Sequence, residues 1–127
     1  MSDNLFKKAI QLKRKDFKIT STGVEIINKE FKNVEGGCLL IYAPWCPHCI
    51  NKNDLINNLS DFVKTNYKGY KIAVASGDDK EMEDILKKLN QNGFPTFYHL
   101  KCYSNNPEKV DVIEFGQAGR DLINLFQ

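Results

Sequence analysis

The chain has no long apolar run. Nothing in its 127 residues approaches the roughly 20 consecutive apolar residues that cross a bilayer, so no membrane partner is expected. The N-terminus, Met1 to Lys8, has no apolar stretch of signal-peptide length, and Asn124 to Gln127 form no endoplasmic-reticulum retention tetrapeptide. Either the protein works in a reducing compartment or the chain is already mature, and a cytoplasmic location is expected. Charge excess is also missing. Eighteen Lys and Arg against 16 Asp and Glu leave a formal +2, so no nucleic-acid partner is indicated. Cysteine is scarce: Cys38, Cys46, Cys49 and Cys102 are too few to form a disulfide scaffold in a chain that can bury one core. There is no repeat and no linker.

What is present reads as alternating elements. Residues 1 to about 15, with Leu5, Phe6, Ala9, Ile10 and Leu12 among polar residues, predict an amphipathic helix. Asp16 to Thr20 suits a short strand. Between Ser21 and Asn33, helical spacing of Val24, Ile27 and Phe31 competes with a Val/Ile content that suits a strand. Helix is preferred, with Ser21 or Thr22 as its cap. After Gly36-Gly37, the apolar run Cys38 to Tyr42 predicts a central strand covered on both faces. A long helix is expected from Cys46 towards Asn66, with Ile50, Leu55, Leu59, Phe62 and Val63 inward. Tyr70 to Ala75 is the next strand, Lys80 to Asn90 the next helix, and Gly77-Asp78-Asp79 the break between them. Its Met82, Ile85, Leu86 and Leu89 form an ordinary core stripe. Phe94 to Tyr103 and Val110 to Phe115 form a hairpin. A last helix, about Gly119 to Phe126, turns Leu122, Ile123, Leu125 and Phe126 inward. Two strands joined by a helix imply a parallel βαβ unit, and the hairpin adds antiparallel strands. The expected class is α/β, a central mixed sheet with helices on both faces.

The chemistry gathers at Trp45-Cys46-Pro47-His48-Cys49, where a buried strand hands over to a helix N-terminus. Two cysteines at this spacing meet within one helical turn. Cys46 takes the end where free N–H groups favour an anion, which lowers a thiol from about 8.5 into a range of roughly 3.5 to 7.5. Cys46 is therefore the candidate nucleophile and Cys49 the resolving thiol. Pro47 suits the first helical turn, and His48, when protonated, would stabilise a leaving thiolate. A zinc site would need two further ligands from His48, His99 and Cys102, with no second cysteine pair to supply them, so redox is preferred and no metal or other cofactor is expected. Downstream, Phe94-Pro95-Thr96 precedes a strand. An edge proline is the plain explanation; with the dithiol upstream, a cis Phe94–Pro95 bond facing the sulfurs is preferred, leaving the Phe94 backbone free to pair with a substrate strand.

Together, Tyr42 to Cys49, Gly93-Phe94-Pro95-Thr96 and Ala118-Gly119-Arg120 resemble the thioredoxin superfamily, most closely a protein disulfide isomerase catalytic domain. The resemblance covers Asp16 to Gln127 and implies a thioredoxin fold, with residues 1–15 as a helical extension and 16–127 as the domain. It also implies that Arg120 swings towards the site and tunes the resolving cysteine; a plain surface arginine is an equal alternative. Two departures matter. Pro47-His48 resembles the strongly oxidising bacterial DsbA type rather than the Gly-His of isomerases, which argues for a potential between about −120 and −230 mV. Leu40 stands six residues before Cys46, where the superfamily commonly keeps a buried acid that takes the resolving proton. By the same resemblance, Cys38 and Cys102 lie on neighbouring strands away from the site, and two free buried thiols are preferred to a disulfide. His99, in the same strand, is read as a surface or satisfied histidine.

The expected activity is thiol–disulfide exchange on protein disulfides, as oxidant or isomerase before reductase, by a monomer. Trp45, Pro44 and Phe94, with Pro95 and Thr96, would form the substrate-binding rim. The redox partner would be a sulfhydryl oxidase, a reductase or glutathione. A virus-encoded cytoplasmic thiol pathway would reconcile this activity with the missing signal peptide. A glutaredoxin is the enzymatic rival, weakened because Gly116 and Gly119 are separated. A thioredoxin-fold binding module with idle cysteines is the rival from another class.

Overall fold

Seven strands join one mixed sheet in the computed structural model, which describes residues 5–115 and 117–124. In chain order these are β1 (Ile10–Leu12), β2 (Phe17–Ile19), β3 (Val24–Ile26), β4 (Gly36–Tyr42), β5 (Tyr70–Ser76), β6 (Thr96–Tyr103) and β7 (Asn106–Glu114). Four helices accompany them: α1 (Pro47–Ile50), α2 (Asn53–Asn66), α3 (Glu83–Leu89) and α4 (Gln117–Asn124). The spatial order is β1-β5-β4-β6-β7-β3-β2. β1, β5 and β4 run parallel, and β6, β7, β3 and β2 continue antiparallel.

The continuous apolar run of β4 has the environment that such a run requires, since all seven of its residues are buried. Its side chains alternate between two cores. Leu40 and Tyr42 join Phe6, Leu55, Ile56, Leu59 and Val63 beneath α2, together with Ile123 of α4. Leu39 and Ile41 join Phe17, Val24, Ile26, Met82 and Ile85 on the α3 face. Helices therefore cover both faces, as expected for the sheet class.

Three local expectations are corrected. The predicted N-terminal helix is not formed among the described residues: turns occupy 5–9, and Ile10–Leu12 pair with Ala73, Val74 and Ala75 as a parallel strand. Seven or eight residues of good helical spacing gain less from isolated helical turns than from a ladder against an already buried strand. Residues 1–4 lie outside the described residues. Between Ser21 and Asn33 the strand alternative holds. Thr20 and Gly23 bond across Ser21-Thr22, with Thr20 N–H to Gly23 O at 2.8 Å and Gly23 N–H to Thr20 Oγ1 at 3.0 Å, so these residues turn a hairpin instead of capping a helix. A single 3-10 turn, Lys29–Phe31, then follows. The long helix from Cys46 is divided at Asn51-Lys52 into α1 and α2, and Ile50 is 46% exposed instead of inward. Asn90, in left-handed conformation, ends α3 by donating to Leu86 and Lys87 carbonyls. Leu125 and Phe126, expected in the last helix, lie outside the described residues, as does Gly116.

Candidate active site

β4 ends at Tyr42, and the chain turns through Ala43-Pro44-Trp45 so that Cys46 N-caps α1. The Cys46 N–H donates to Ala43 O at 3.1 Å, and the Cys46 carbonyl accepts from Cys49 N–H at 3.1 Å and Ile50 N–H at 3.0 Å. Pro47 takes the first helical position, where no N–H is missed. All four cysteines are free thiols, so the site stands in its reduced form.

The two sulfurs sit in opposite electrostatic settings. Cys46 keeps its thiol below the ordinary value, first because the Cys49 thiol donates to it, then through the backbone N–H groups of Cys49 and His48; partial burial opposes this. With α1 only one turn long, these specific donors replace the macrodipole of a long helix. Cys49 is pushed up to about 11, chiefly by burial. The Ala43 N–H, 3.5 Å from its sulfur, offsets part of that, while the hydrogen bond and charge at Cys46 add to it. Below Cys49 the surroundings are apolar: Leu40 is fully buried, pairs in register with Val74 and Phe97, and shares one core with both cysteines. Among the described residues no buried carboxylate replaces the absent acid in that core.

Phe94 closes the other side. The Cys46 thiol points at the Phe94 carbonyl, 3.7 Å away, and the Phe94–Pro95 peptide is cis. The Phe94 ring meets Trp45 edge-on, with centroids 6.0 Å apart and planes at 87°. Trp45 is 64% exposed, and its indole N–H donates to Asp78 Oδ1 at 2.9 Å. Thr96 donates to Gly93 O at 3.0 Å, which fixes the start of β6. The structure thus gathers Pro44, Trp45, Cys46, Cys49, Phe94 and Pro95. His48 and Pro47 are exposed on α1, and what His48 brings to the sulfur is its backbone N–H. Arg120 is exposed on α4, and among the described residues no hydrogen bond or ion pair joins it to either sulfur.

Residues 22–123 match the family model for Thioredoxin. The chain belongs to the thioredoxin family. It is 30% identical over 112 residues to protein disulfide-isomerase tigA of Aspergillus niger, covering 84% of this chain and 29% of that protein. It is 29% identical over 107 residues to the chloroplastic 5'-adenylylsulfate reductase 3 of Arabidopsis thaliana, covering 84% of this chain and 22% of that one. This thioredoxin-family chain therefore spans less than a third of the length of these curated relatives. The fold overlays that of the Trx4 domain of ERdj5 with a TM-score of 0.63 at 12% identity, covering 93% and 91% of the two chains. The fold is the thioredoxin fold, and the family is one of thiol–disulfide oxidoreductases.

Two residues at this thioredoxin-type site escaped the sequence reading. Gly77 had signalled only a strand end, yet any Cβ there would run into the Phe94 ring and crowd Ile41, so glycine is what admits the ring. Asp78 reads from the sequence only as part of the Gly77-Asp78-Asp79 break. Asp79 caps the turn that follows, accepting from Glu81 N–H, while Asp78 anchors Trp45. Cys38 and Cys102 prove unable to pair. Cys38 stands opposite His99 and faces the α2 core, whereas Cys102 stands opposite Val110 and packs on the α3 core. Burial pushes the Cys38 thiol up to about 12, as befits an inert core group.

Proposed function

We propose that this domain exchanges disulfides with protein thiols as an oxidant or isomerase, in preference to a reductase. The observation that carries the reading is the asymmetry of the two sulfurs. Hydrogen-bond donors converge on Cys46 and stabilise its thiolate, which stabilises the dithiol form and makes the disulfide more oxidising. Cys49 sits on a largely apolar core with Tyr42 among its neighbours, and burial makes it hold its proton, so it is slow to release a substrate captured on Cys46. Capture with slow release favours rearrangement of substrate disulfides over their net reduction.

In the oxidising direction a substrate thiolate attacks Cys46 Sγ of the Cys46–Cys49 disulfide. Cys49 leaves and takes up a proton, and a mixed disulfide remains. A second substrate thiolate attacks the substrate sulfur of that bond, forming the substrate disulfide and releasing Cys46 as its stabilised thiolate. Glutathione disulfide or a sulfhydryl oxidase would restore the enzyme disulfide. Exposed Trp45 and Ile50, with Pro44 and Phe94, supply an apolar rim for the substrate chain, and the Phe94 carbonyl beside Cys46 supplies a backbone acceptor. The test compares two assays on one preparation: disulfide formation in a reduced, unfolded protein in glutathione buffer, and reduction of insulin by dithiothreitol. Refolding should be accelerated more than insulin reduction, and Cys46→Ser should abolish both. Faster insulin reduction with no effect on refolding would overturn the assignment.

A further inference from the structure

Cys49 is fully buried in one core with Tyr42 and Ala43 at the end of β4 and with Leu55 and Ile56 of α2. The groups that meet its charge are the Cys46 thiol on α1, the Ala43 N–H and Tyr42. From α2 and α4 the same core receives Leu55, Ile56, Leu59 and Ile123, none of them titratable. One further side chain in this core comes from outside the strands and helices. Phe6 is fully buried in it, and its ring meets Tyr42 edge-on, with centroids 4.8 Å apart and planes at 66°.

The backbone at Phe6 is left-handed, with φ 55°, a conformation that bulky residues rarely take and that persists only where the surroundings impose it. Here they do. The Phe6 N–H donates to Asn53 Oδ1 at 2.7 Å, and its carbonyl accepts from Ala9 N–H at 3.0 Å and Gln11 Nε2 at 2.9 Å. Two residues on, the Lys8 N–H donates to Asn57 Oδ1 at 3.1 Å and its ammonium pairs with Asp61 at 2.9 Å. The main chain is thus fastened along α2, while the ring braces the last residue of β4. Phe6 ties together the two elements that enclose Cys49.

We propose that Phe6 is a positioning residue for the resolving step: by bracing Tyr42 it holds the core around Cys49 dry, and so sets how fast Cys49 releases a captured substrate. The inference rests on the reading that Cys46 captures the substrate and Cys49 releases it. In that release the Cys49 thiolate attacks Cys46 Sγ of the mixed disulfide, the substrate sulfur leaves as a thiolate, and the proton of Cys49 passes to water. Leu40 offers no base, and burial is the largest cause of the reluctance of Cys49 to ionise. Water admitted beside the sulfur would stabilise its thiolate directly. A segment that contributes no group to the dithiol thereby governs its second step.

Phe6→Gly removes the ring while suiting the left-handed backbone, so the turn and its hydrogen bonds are kept. Val63→Ala, in the same core but near the C-terminal end of α2, controls for loosened packing. Cysteine labelled isotopically at Cβ lets nuclear magnetic resonance follow the ionisation of each thiol in the whole reduced chain. Cys49 should titrate at least about one pH unit lower in Phe6→Gly than in the wild type, which is roughly tenfold more thiolate at neutral pH. It should keep its wild-type value in Val63→Ala. Phe6→Leu retains most of the apolar cover and should lie between wild type and Phe6→Gly. An unshifted Cys49 in Phe6→Gly would overturn the proposal, as would an unshifted Cys49 in Phe6→Leu if the glycine variant does not fold. An equal shift in Val63→Ala would overturn it too, since any loosening of the core would then suffice. The titration involves no substrate, so its outcome is independent of the oxidant or isomerase reading, which the refolding and insulin assays decide.

Discussion

Replacing Leu40 with Asp should convert a slow resolving step into a fast one. Cys49 is pushed up to about 11, which at pH 7 leaves a thiolate fraction of about 10⁻⁴. Burial, the largest cause, persists when Cys46 is tied up in a mixed disulfide, whereas the contribution of the Cys46 charge does not, so this fraction is a lower bound. Resolution in the wild type should therefore be slow at pH 7 and rise about tenfold per pH unit through pH 9. A carboxylate at position 40 would share the core of Cys49 and serve as its general base, a contribution of roughly 10² to 10⁴ in rate. Leu40 is fully buried between Val74 and Phe97, so the substitution also costs stability, about 2–5 kcal/mol from lost packing alone. Leu40→Asn is the control, similar in shape and cost but unable to take a proton. The assay forms the mixed disulfide of Cys46 with thionitrobenzoate and follows its release by stopped flow from pH 6 to 10. Leu40→Asp should release it at least tenfold faster than Leu40→Asn at pH 7, with a flattened pH profile. Equal rates in the two variants, or a wild-type rate that does not change between pH 7 and 9, would refute the reasoning.

Other consequences are open to direct measurement. Iodoacetamide at pH 7 should alkylate Cys46 first and leave Cys38 untouched until the protein unfolds, as mass spectrometry of quenched samples would show; early labelling of Cys38 would contradict its burial. The stability of the reduced protein should rise as pH climbs from the lowered Cys46 value towards 9, because the unfolded thiol still holds its proton there. Above 9 it should fall, because Cys38 and Cys49 resist an ionisation that the unfolded chain undergoes. Denaturant titrations across pH 6 to 11 would reveal this maximum, and a monotonic profile would count against the assigned shifts. Gly77→Ala should cost about 1–3 kcal/mol by overpacking against Phe94 and should lower activity with it, whereas an unaffected midpoint would show that the ring has room. Asp78→Ala should change Trp45 emission and raise KM for protein substrates while leaving stability within about 1 kcal/mol.

The parts legible in the sequence were those written in local pattern. Gly36-Gly37 followed by five apolar residues identified β4, because only a strand covered on both faces needs such a run. The dithiol declared itself by spacing and by its place between strand and helix. Misreadings arose where a distant partner decided the structure. Leu5 to Leu12 has helical spacing, yet three of those residues are held by Ala73 to Ala75, some sixty positions away. Val24, Ile27 and Phe31 fit a helical period, yet pairing with β7 and β2 made Val24–Ile26 a strand and left Ile27 exposed. Gly77 and Asp78 look like punctuation until Phe94 and Trp45 are brought against them. Ile50 follows the cysteines at core spacing, but the break at Asn51-Lys52 leaves it on the surface beside the site.

The redox equilibrium of the Cys46–Cys49 pair with glutathione tests the central claim most directly. A stabilised Cys46 thiolate predicts a reduction potential at or above about −200 mV. A value near −270 mV, that of a thioredoxin-like reductase, would contradict it.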